Sequence, residues 1–160
     1  MAEAWVLDAS PFILFARIGR LDILRDISPS IIIPTAVIRE VRSGTSNDPT
    51  ANAALDWGMP LACDDVTLPA SVASWDLGTG ESQVIAQCAG NVRWAVLDDR
   101  MGRRCAAAHD VPVIGSLGII LRAKKSGLID VAGYWVDQLR THGMYMTDEL
   151  VKQVLSAIGE

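Results

Sequence analysis

The chain has 160 residues, half of them apolar, with a mean hydropathy of +0.26 and a formal net charge of −5. This composition supplies a buried core and excludes an intrinsically disordered chain. The apolar residues come in runs well below the roughly eighteen that a transmembrane helix needs, so we expect no membrane span. The acidic balance argues weakly against a dedicated nucleic-acid binder, but a cluster of metal-binding carboxylates would itself make the total negative.

Cysteine usage favours a reducing compartment. Cys63, Cys88 and Cys105 are odd in number and have no C-x-x-C spacing, which is typical of reduced thiols in a cytosolic protein. The first residues lack the basic start and apolar stretch of a signal peptide. Neither of the two histidines lies near a cysteine pair, so a zinc site is not indicated. We therefore expect a cytoplasmic protein.

Short apolar runs alternate with amphipathic segments along the chain. The first run, residues 4–7, predicts a buried strand that ends at Asp8, and Ser10 then suits the N-cap of a helix over residues 11–17. The predicted strands are residues 4–7, 31–33, 94–97 and 111–114, with an ambiguous extended segment at 61–68. The predicted helices are residues 11–17, 21–27, 36–41, 51–57, 81–89, 101–108, 117–125 and 147–158.

This alternation predicts an α/β fold. Apolar strands separated by helices form βαβ units, which build a mainly parallel sheet with helices on both faces. A chain of this length fits a single domain over residues 1–160, closed by a C-terminal helix at 147–158 with Thr147 as its N-cap. In such sheets, ligand sites form beyond the carboxyl ends of the strands.

Acidic side chains follow two of the predicted strands. Asp8 ends the first, and Asp98 with Asp99 ends the strand at 94–97. If these strands are neighbours, their carboxylates converge, and unpaired carboxylates that converge are costly unless protons or cations neutralise them. A hard divalent cation with oxygen ligands resolves this cost, and Glu40 and Glu81 are the natural further ligands because each lies on a helix near the same sheet edge.

Each acid also has an ordinary structural interpretation. Asp8 can be a turn or N-cap residue, and the Asp98-Asp99 pair can cap the helix that follows it. Glu40 can pair with a neighbouring arginine on its helix, and Glu81 can serve as a capping residue in the first turn. The coincidence of strand-end acids with helix acids in a parallel sheet is what favours a metal site.

Six segments of the sequence resemble PIN-domain proteins. They are VLDAS at 6–10, IPTAVIREV at 33–41, LGTGESQVIAQC at 77–88, AVLDDRMGRRCA at 95–106, GSLGIILRAKKSGLI at 115–129 and GMYMTDELVKQVLSAIGE at 143–160. The last two resemble a prokaryotic PIN subfamily similar to VapC-type toxin ribonucleases. Together the segments extend the resemblance over essentially the whole chain.

The resemblance implies a PIN-like three-layer α/β/α sandwich with a metal-dependent ribonuclease site at the strand ends. It assigns catalytic and metal-binding roles to Asp8, Glu40, Glu81 and Asp98, and Asp99 either assists or replaces Asp98. The third acid is commonly Asp in PIN domains, and Glu81 is one methylene longer. One or two Mg²⁺ or Mn²⁺ ions would activate water for hydrolysis of an RNA phosphodiester.

Further residues are candidates for RNA contact. The hydroxyl of Ser10 can bind a phosphate, although capping alone explains it, and the basic residues could contact the RNA backbone or form a solvated helix face. The basic candidates are Arg100, Arg103 and Arg104, with Lys124 and Lys125 further along the chain. The partners expected from the resemblance are RNA, a small antitoxin protein and a second copy of the chain in a homodimer.

Two alternative functions stay open at this point. A PIN-fold binding module would keep the acids, cleave nothing and act through RNA or protein partners. A phosphotransfer enzyme would use Asp8 as a nucleophile, but Ser10 stands where such an enzyme would carry a second aspartate.

Overall fold

A computed structural model describes residues 3–160, and the five strands within them form one parallel sheet. The strands are β1 (Ala4–Leu7), β2 (Ser30–Pro34), β3 (Ala62–Cys63), β4 (Trp94–Val96) and β5 (Val113–Ile114). The helices are α1 (Ala9–Arg17), α2 (Leu21–Ile27), α3 (Thr35–Ser43), α4 (Thr50–Gly58), α5 (Ala70–Ala73), α6 (Thr79–Cys88), α7 (Arg100–Ala108), α8 (Ser116–Lys125), α9 (Ala132–Thr141) and α10 (Asp148–Ala157). A short 3-10 helix, Met59–Leu61, joins α4 to β3.

The strand order is β3-β2-β1-β4-β5, and every neighbouring pair is parallel. β1 is the central strand, because Trp5 pairs with Ile31 of β2 on one side and with Trp94 of β4 on the other. Since all strands run in the same direction, their carboxyl ends meet at one edge, where ligands bind in open α/β sheets. The strands that end at Asp8 and at Asp98 are therefore neighbours, as the site prediction requires.

Helices cover both faces of the sheet and complete the three-layer α/β/α sandwich that the sequence predicts. Helix α3 contacts α1, α4 and α6, and α8 contacts α2 and α9. The largest fully buried side chains are Trp5, Phe12, Phe15, Leu7, Ile23, Leu24, Ile33, Ile85, Leu97, Ile119, Ile120 and Leu139. Complete burial of one such side chain stabilises the fold by about 1.5–3 kcal/mol, so this core holds the strand ends in place.

The start of α1 differs from the prediction. The helix begins at Ala9, with Asp8 in the N-cap position, and Ser10 lies exposed within the first turn. The Asp8 side chain makes no capping hydrogen bond, although its carbonyl accepts one from the backbone N–H of Phe12 at 3.2 Å. The prediction of Ser10 as N-cap is wrong because the chain enters the helix directly after β1, without the two-residue turn that the prediction assumes.

The C-terminal helix follows its local signals. The hydroxyl of Thr147 accepts a hydrogen bond from the backbone N–H of Leu150 at 3.1 Å, which confirms Thr147 as the N-cap of α10. The extended segment expected at 61–68 is a strand only at Ala62–Cys63; Leu61 ends the 3-10 helix, and residues 64–68 are loop. Helices α5 and α9 have no counterpart among the predicted elements.

No helix within residues 3–160 is both long enough and apolar enough to cross a bilayer. The three cysteines are free thiols, and burial raises the pKa of each, to about 12 for Cys88. Because the thiolate is the reactive form, these residues are poor nucleophiles at neutral pH.

Candidate active site

A groove of about 780 Å³ lies at the carboxyl edge of the sheet. All five acids predicted to form the site line it. The acidic lining residues are Asp8, Glu40, Asp48, Glu81, Asp98 and Asp99. They come from strand ends and helices that meet only in the folded chain, so the groove gathers negative charge from distant parts of the sequence.

Asp8 lies at the floor of this groove and is 4% exposed. Its Oδ1 atom is buried and has no hydrogen-bond partner among the described residues. Burial raises the pKa of the Asp8 carboxyl to about 7, opposed by a hydrogen bond from the Ala9 backbone N–H and reinforced by the charges of Glu81, Glu40 and Asp98. An ionised Asp8 is therefore costly in this environment unless a cation lies beside it.

Glu81 lies in the first turn of α6, as predicted. Its Oε2 atom is the second buried side-chain oxygen without a hydrogen-bond partner in residues 3–160. Burial raises the pKa of Glu81 to about 7, and the nearby negative charges of Asp99 and Glu40 add to the shift. Asp8 and Glu81 thus lie in surroundings that disfavour the ionised form of each carboxyl.

Gly80 allows Glu40 and Asp8 to approach each other. A Cβ atom at Gly80 would lie 2.6 Å from Glu40 Oε2 and 3.6 Å from Asp8 Oδ1. A contact of 2.6 Å is shorter than real Cβ atoms make, so any larger residue would displace the Glu40 carboxylate. The absence of a side chain at Gly80 therefore leaves room for the carboxylates of Asp8 and Glu40 to lie close together.

Gly102 has the same relation to the other half of the groove. A Cβ atom there would lie 3.0 Å from Glu81 Oε2 and 3.6 Å from Asp99 Oδ2. The absence of a side chain leaves room for both carboxylates against the start of α7.

The doubled acid after β4 divides into two distinct roles. Asp98 accepts hydrogen bonds from the backbone N–H and the hydroxyl of Ser116, at 2.7 Å to Oδ1 and 2.6 Å to Oδ2. Asp99 is the N-cap of α7, where its Oδ2 accepts from the backbone N–H of Gly102 at 2.8 Å. Both acids therefore have structural partners and also line the groove, which the sequence alone did not separate.

The predicted RNA contacts lie at different distances from the acids. Ser10 and Arg100 line the groove, whereas Arg103 and Arg104 lie exposed further along α7. Arg103 nevertheless extends toward Asp98. A Cβ atom added at Gly115 would lie 2.6 Å from Arg103 Nη1 and would also contact the Asp98 carboxylate. None of the three arginines forms an ion pair within residues 3–160.

Lys124 and Lys125 lie on α8, outside the groove. The ammonium of Lys124 is 3.5 Å from a carboxylate oxygen of Glu160 and also donates to the carbonyl of Asp130. Its charge is thus already paired, and the prediction of an RNA contact finds no support at this position.

A family model described as DUF3368, PIN domain, matches residues 4–160. The chain belongs to this family of PIN domains. PIN domains are generally nucleases that use divalent metal ions, which agrees with an acidic groove at the carboxyl edge of a parallel sheet. No curated protein and no solved structure gives a significant match to the sequence.

The acids of this PIN domain fit a divalent cation by their chemistry. Within residues 3–160 no three Asp, Glu, His or Cys side chains stand close enough to form a complete ligand set on their own. Mg²⁺ does not require one, because it keeps several water ligands and is usually held by one or two carboxylates together with substrate phosphates. The oxygen-only donors and the two buried oxygens without partners, on Asp8 and Glu81, suit such an ion.

Sequence reasoning missed three features of the groove in this PIN domain. Ser116 is completely buried and binds Asp98, although only its position after a strand hinted at a role. Arg17 and Asp48 form an ion pair at 2.7 Å along one wall, between residues that no local pattern connects. Tyr145 lines the groove with its side chain in solvent, and no sequence signal marked it.

Proposed function

We propose that this PIN domain is a metal-dependent RNA endonuclease that hydrolyses phosphodiesters with metal-activated water. The observation that carries the proposal is the pair of buried carboxylate oxygens without partners, Asp8 Oδ1 and Glu81 Oε2, in one groove of a PIN fold. A fold gains nothing from burying two such groups, since each raises the free energy of the folded chain when ionised. A bound cation removes this unfavourable energy, so the unpaired carboxylates favour metal binding.

The proposed roles follow from the position of each side chain. Asp8 and Glu81 hold the cation through their unpartnered oxygens, and Glu40 contributes its carboxylate from α3, beside Gly80. Asp98 is held in place by Ser116 and keeps further lone pairs on both oxygens, because a carboxylate can accept about four hydrogen bonds or metal contacts. Asp99 caps the start of α7, and its negative charge lies near that of Glu81.

When bound, Mg²⁺ or Mn²⁺ would lower the pKa of the attacking water and neutralise charge that develops on the phosphate oxygens. The protein positions the scissile phosphate. Three guanidinium groups that form no ion pair within residues 3–160 can bind the phosphates of the RNA strand. They belong to Arg100, at the groove, and to Arg103 and Arg104, further along α7. Ser10 presents a hydroxyl at the mouth of the groove that can donate to a phosphate oxygen.

The test is cleavage of a mixed RNA pool by the purified chain with Mn²⁺, with Mg²⁺ and with EDTA. We expect cleavage only with a divalent ion, and a loss of about 100-fold or more in the Asp8→Asn and Glu81→Gln variants. Asp110→Asn is the matched control, because Asp110 is exposed outside the groove and its φ of 54° is one that Asn also adopts.

Two results would contradict the proposal. Full cleavage by both Asp8→Asn and Glu81→Gln would show that the acids of the groove are not the site. Binding of Mn²⁺ by calorimetry together with RNA binding but no cleavage would instead assign the chain to the PIN-fold binding modules.

The resemblance to VapC-type toxins extends the proposal to a cytoplasmic toxin with a small antitoxin partner and a homodimeric state. A toxin arrests growth when it is expressed alone, and the Asp8→Asn variant should not. Co-purification with the product of a neighbouring gene tests the antitoxin, and light scattering of the purified chain tests the dimer.

A further inference from the structure

The segment between α9 and α10 is fixed to the body of the protein at the edge of the groove. It turns at Gly143, whose φ of +115° favours glycine. The backbone N–H of Met144 donates to the carbonyl of Leu139 at 2.9 Å, and Arg17 donates to the carbonyl of His142 at 3.0 Å. The segment is thus held from two sides, by α9 and by α1.

The side chains of this segment alternate between core and solvent. Met144 packs against the hydrophobic core, and Met146 is only 4% exposed, with its carbonyl accepting from Arg140 at 3.0 Å. Tyr145 stands between them and is 88% exposed. Burial of the two flanking methionines leaves Tyr145 as the residue of this segment that faces solvent.

Tyr145 is one of the residues that line the carboxylate groove. Its ring makes no stacking contact with another aromatic ring and no cation–π contact within residues 3–160. Because the backbone of this segment is held in place and the ring is largely in solvent, the faces of the ring are available to a ligand. The ligand that the groove is proposed to hold is a nucleic acid strand.

We propose that Tyr145 stacks on a nucleobase of the RNA and thereby sets which phosphodiester lies over the carboxylates. The inference rests on the proposed function, since it places the base beside the phosphate that the acids act on. Stacking on an aromatic ring tolerates all four bases, so Tyr145 selects the position of the strand rather than its sequence. The stacked base must be unpaired, because a base within a duplex has both faces covered.

Direct binding tests this contact without relying on cleavage. Anisotropy of a fluorescent single-stranded RNA is measured with the full chain carrying Asp8→Asn, alone and combined with Tyr145→Ala, Tyr145→Trp or Tyr134→Ala. Tyr134 is the matched control, because it is 56% exposed but lies outside the groove. We expect Tyr145→Ala to weaken binding about 5- to 150-fold, and the other two to keep the affinity of the parent.

An abasic scan locates the stacked base. A single abasic nucleotide is moved along the oligonucleotide, and one position should reduce the affinity of the parent chain but not that of the Tyr145→Ala chain. Equal affinities of the parent and Tyr145→Ala chains would overturn the inference, as would an abasic effect that persists without the tyrosine. Thermal unfolding should change little in Tyr145→Ala, since the residue is 88% exposed.

The two proposals fail in different ways. A wild-type chain that cleaves no RNA, yet binds it through Tyr145 and one base, supports this inference and contradicts the nuclease proposal alone. A metal-dependent nuclease whose RNA binding and cleavage are unchanged by Tyr145→Ala contradicts this inference alone. That result would be expected if Tyr145 docked a protein partner instead.

Discussion

Ser116 holds the Asp98 carboxylate with two donors at once, its backbone N–H at 2.7 Å and its hydroxyl at 2.6 Å. The pair joins the end of β4 to the first residue of α8, so a strand-end acid lies at the positive end of a helix dipole. Hydrogen bonds to a charged acceptor are about twice as strong as neutral ones. This contact therefore fixes one side of the groove.

Substitution of Ser116 by Ala should lower both stability and activity. It removes the hydroxyl donor and leaves Asp98 Oδ2 without that partner, at a cost of about 1–3 kcal/mol in the free energy of unfolding. For a domain of this size, 1 kcal/mol corresponds to about 2–4 °C in Tm. Ser126→Ala, at the exposed end of the same helix, is the control. Unchanged kcat/KM with a lowered Tm would limit Ser116 to a structural role.

The stability of the metal-free chain should fall as pH rises from about 4 to about 7. The folded state holds the proton of Asp8 up to a pKa of about 7, whereas the unfolded chain releases it near the ordinary value of 3.8. The folded state therefore binds more protons in this window, and the contribution of the protonated carboxyl is lost as pH passes through the folded pKa. Glu81, with a pKa of about 7, acts in the same direction.

Thermal unfolding in EDTA at pH 5 and pH 8 measures this effect. Mn²⁺ or Mg²⁺ should raise Tm at pH 8 and have little effect at pH 5, because protons compete with the cation for the same carboxyls. Asp8→Asn should raise the Tm of the metal-free chain at pH 8 and weaken the response to metal. A Tm in EDTA that rises between pH 5 and pH 8 would contradict the conclusion that protonated Asp8 and Glu81 stabilise the metal-free chain.

Gly80→Ala separates the geometry of the groove from the stability of the helix. Ala in place of Gly stabilises a helix by up to about 1 kcal/mol, and a Cβ 3.3 Å from Cγ2 of the buried Val37 offsets part of that gain. The new Cβ would meet Glu40 Oε2 at 2.6 Å and displace it, and we expect cleavage to drop by up to about 100-fold. Gly133→Ala on α9 is the control, since its Cβ would make only ordinary contacts, the nearest at 3.4 Å. Full activity of Gly80→Ala would exclude Glu40 from the site.

The arginines of α7 should govern the salt dependence of RNA binding. Arg100→Gln should weaken binding to all RNA sequences alike and reduce the slope of log K against log salt by about 0.7. Arg104→Gln should do less, because Arg104 lies outside the groove lining. Lys152→Gln, an exposed charge on α10, is the control. An Arg100→Gln variant with the parent slope would remove this residue from the phosphate contacts.

Local signals predicted the α/β class, most of the elements and the acids that share the groove. Apolar runs followed by acid placed Asp8 and Asp98 at strand ends, and the parallel sheet made those ends meet. The division between Asp98 and Asp99 was not predictable, because it depends on Ser116, eighteen positions beyond Asp98. Metal binding and catalysis by these acids stay predictions.

Two helix starts depend on caps that no local sequence pattern indicated. Helix α9 begins after Val131 without a local cap, and its first N–H groups, from Ala132 and Gly133, donate instead to the Glu160 carboxylate at 2.9 and 3.0 Å. Helix α3 is likewise capped from a distance, by Asp65 on the N–H of Ala36 at 2.9 Å. A cap supplied by tertiary structure leaves no mark in the sequence near the helix it starts.

The central position of β1 has a consequence for synthesis of the chain. Asp8 is made well before its neighbour β4 and the acids at 98 and 99, and Asp98 is fixed only by residue 116. A nascent chain shorter than this carries an incomplete groove. Any cut between residues 8 and 116 likewise separates the acids from one another, or Asp98 from Ser116, so no fragment that ends before residue 116 carries the complete set.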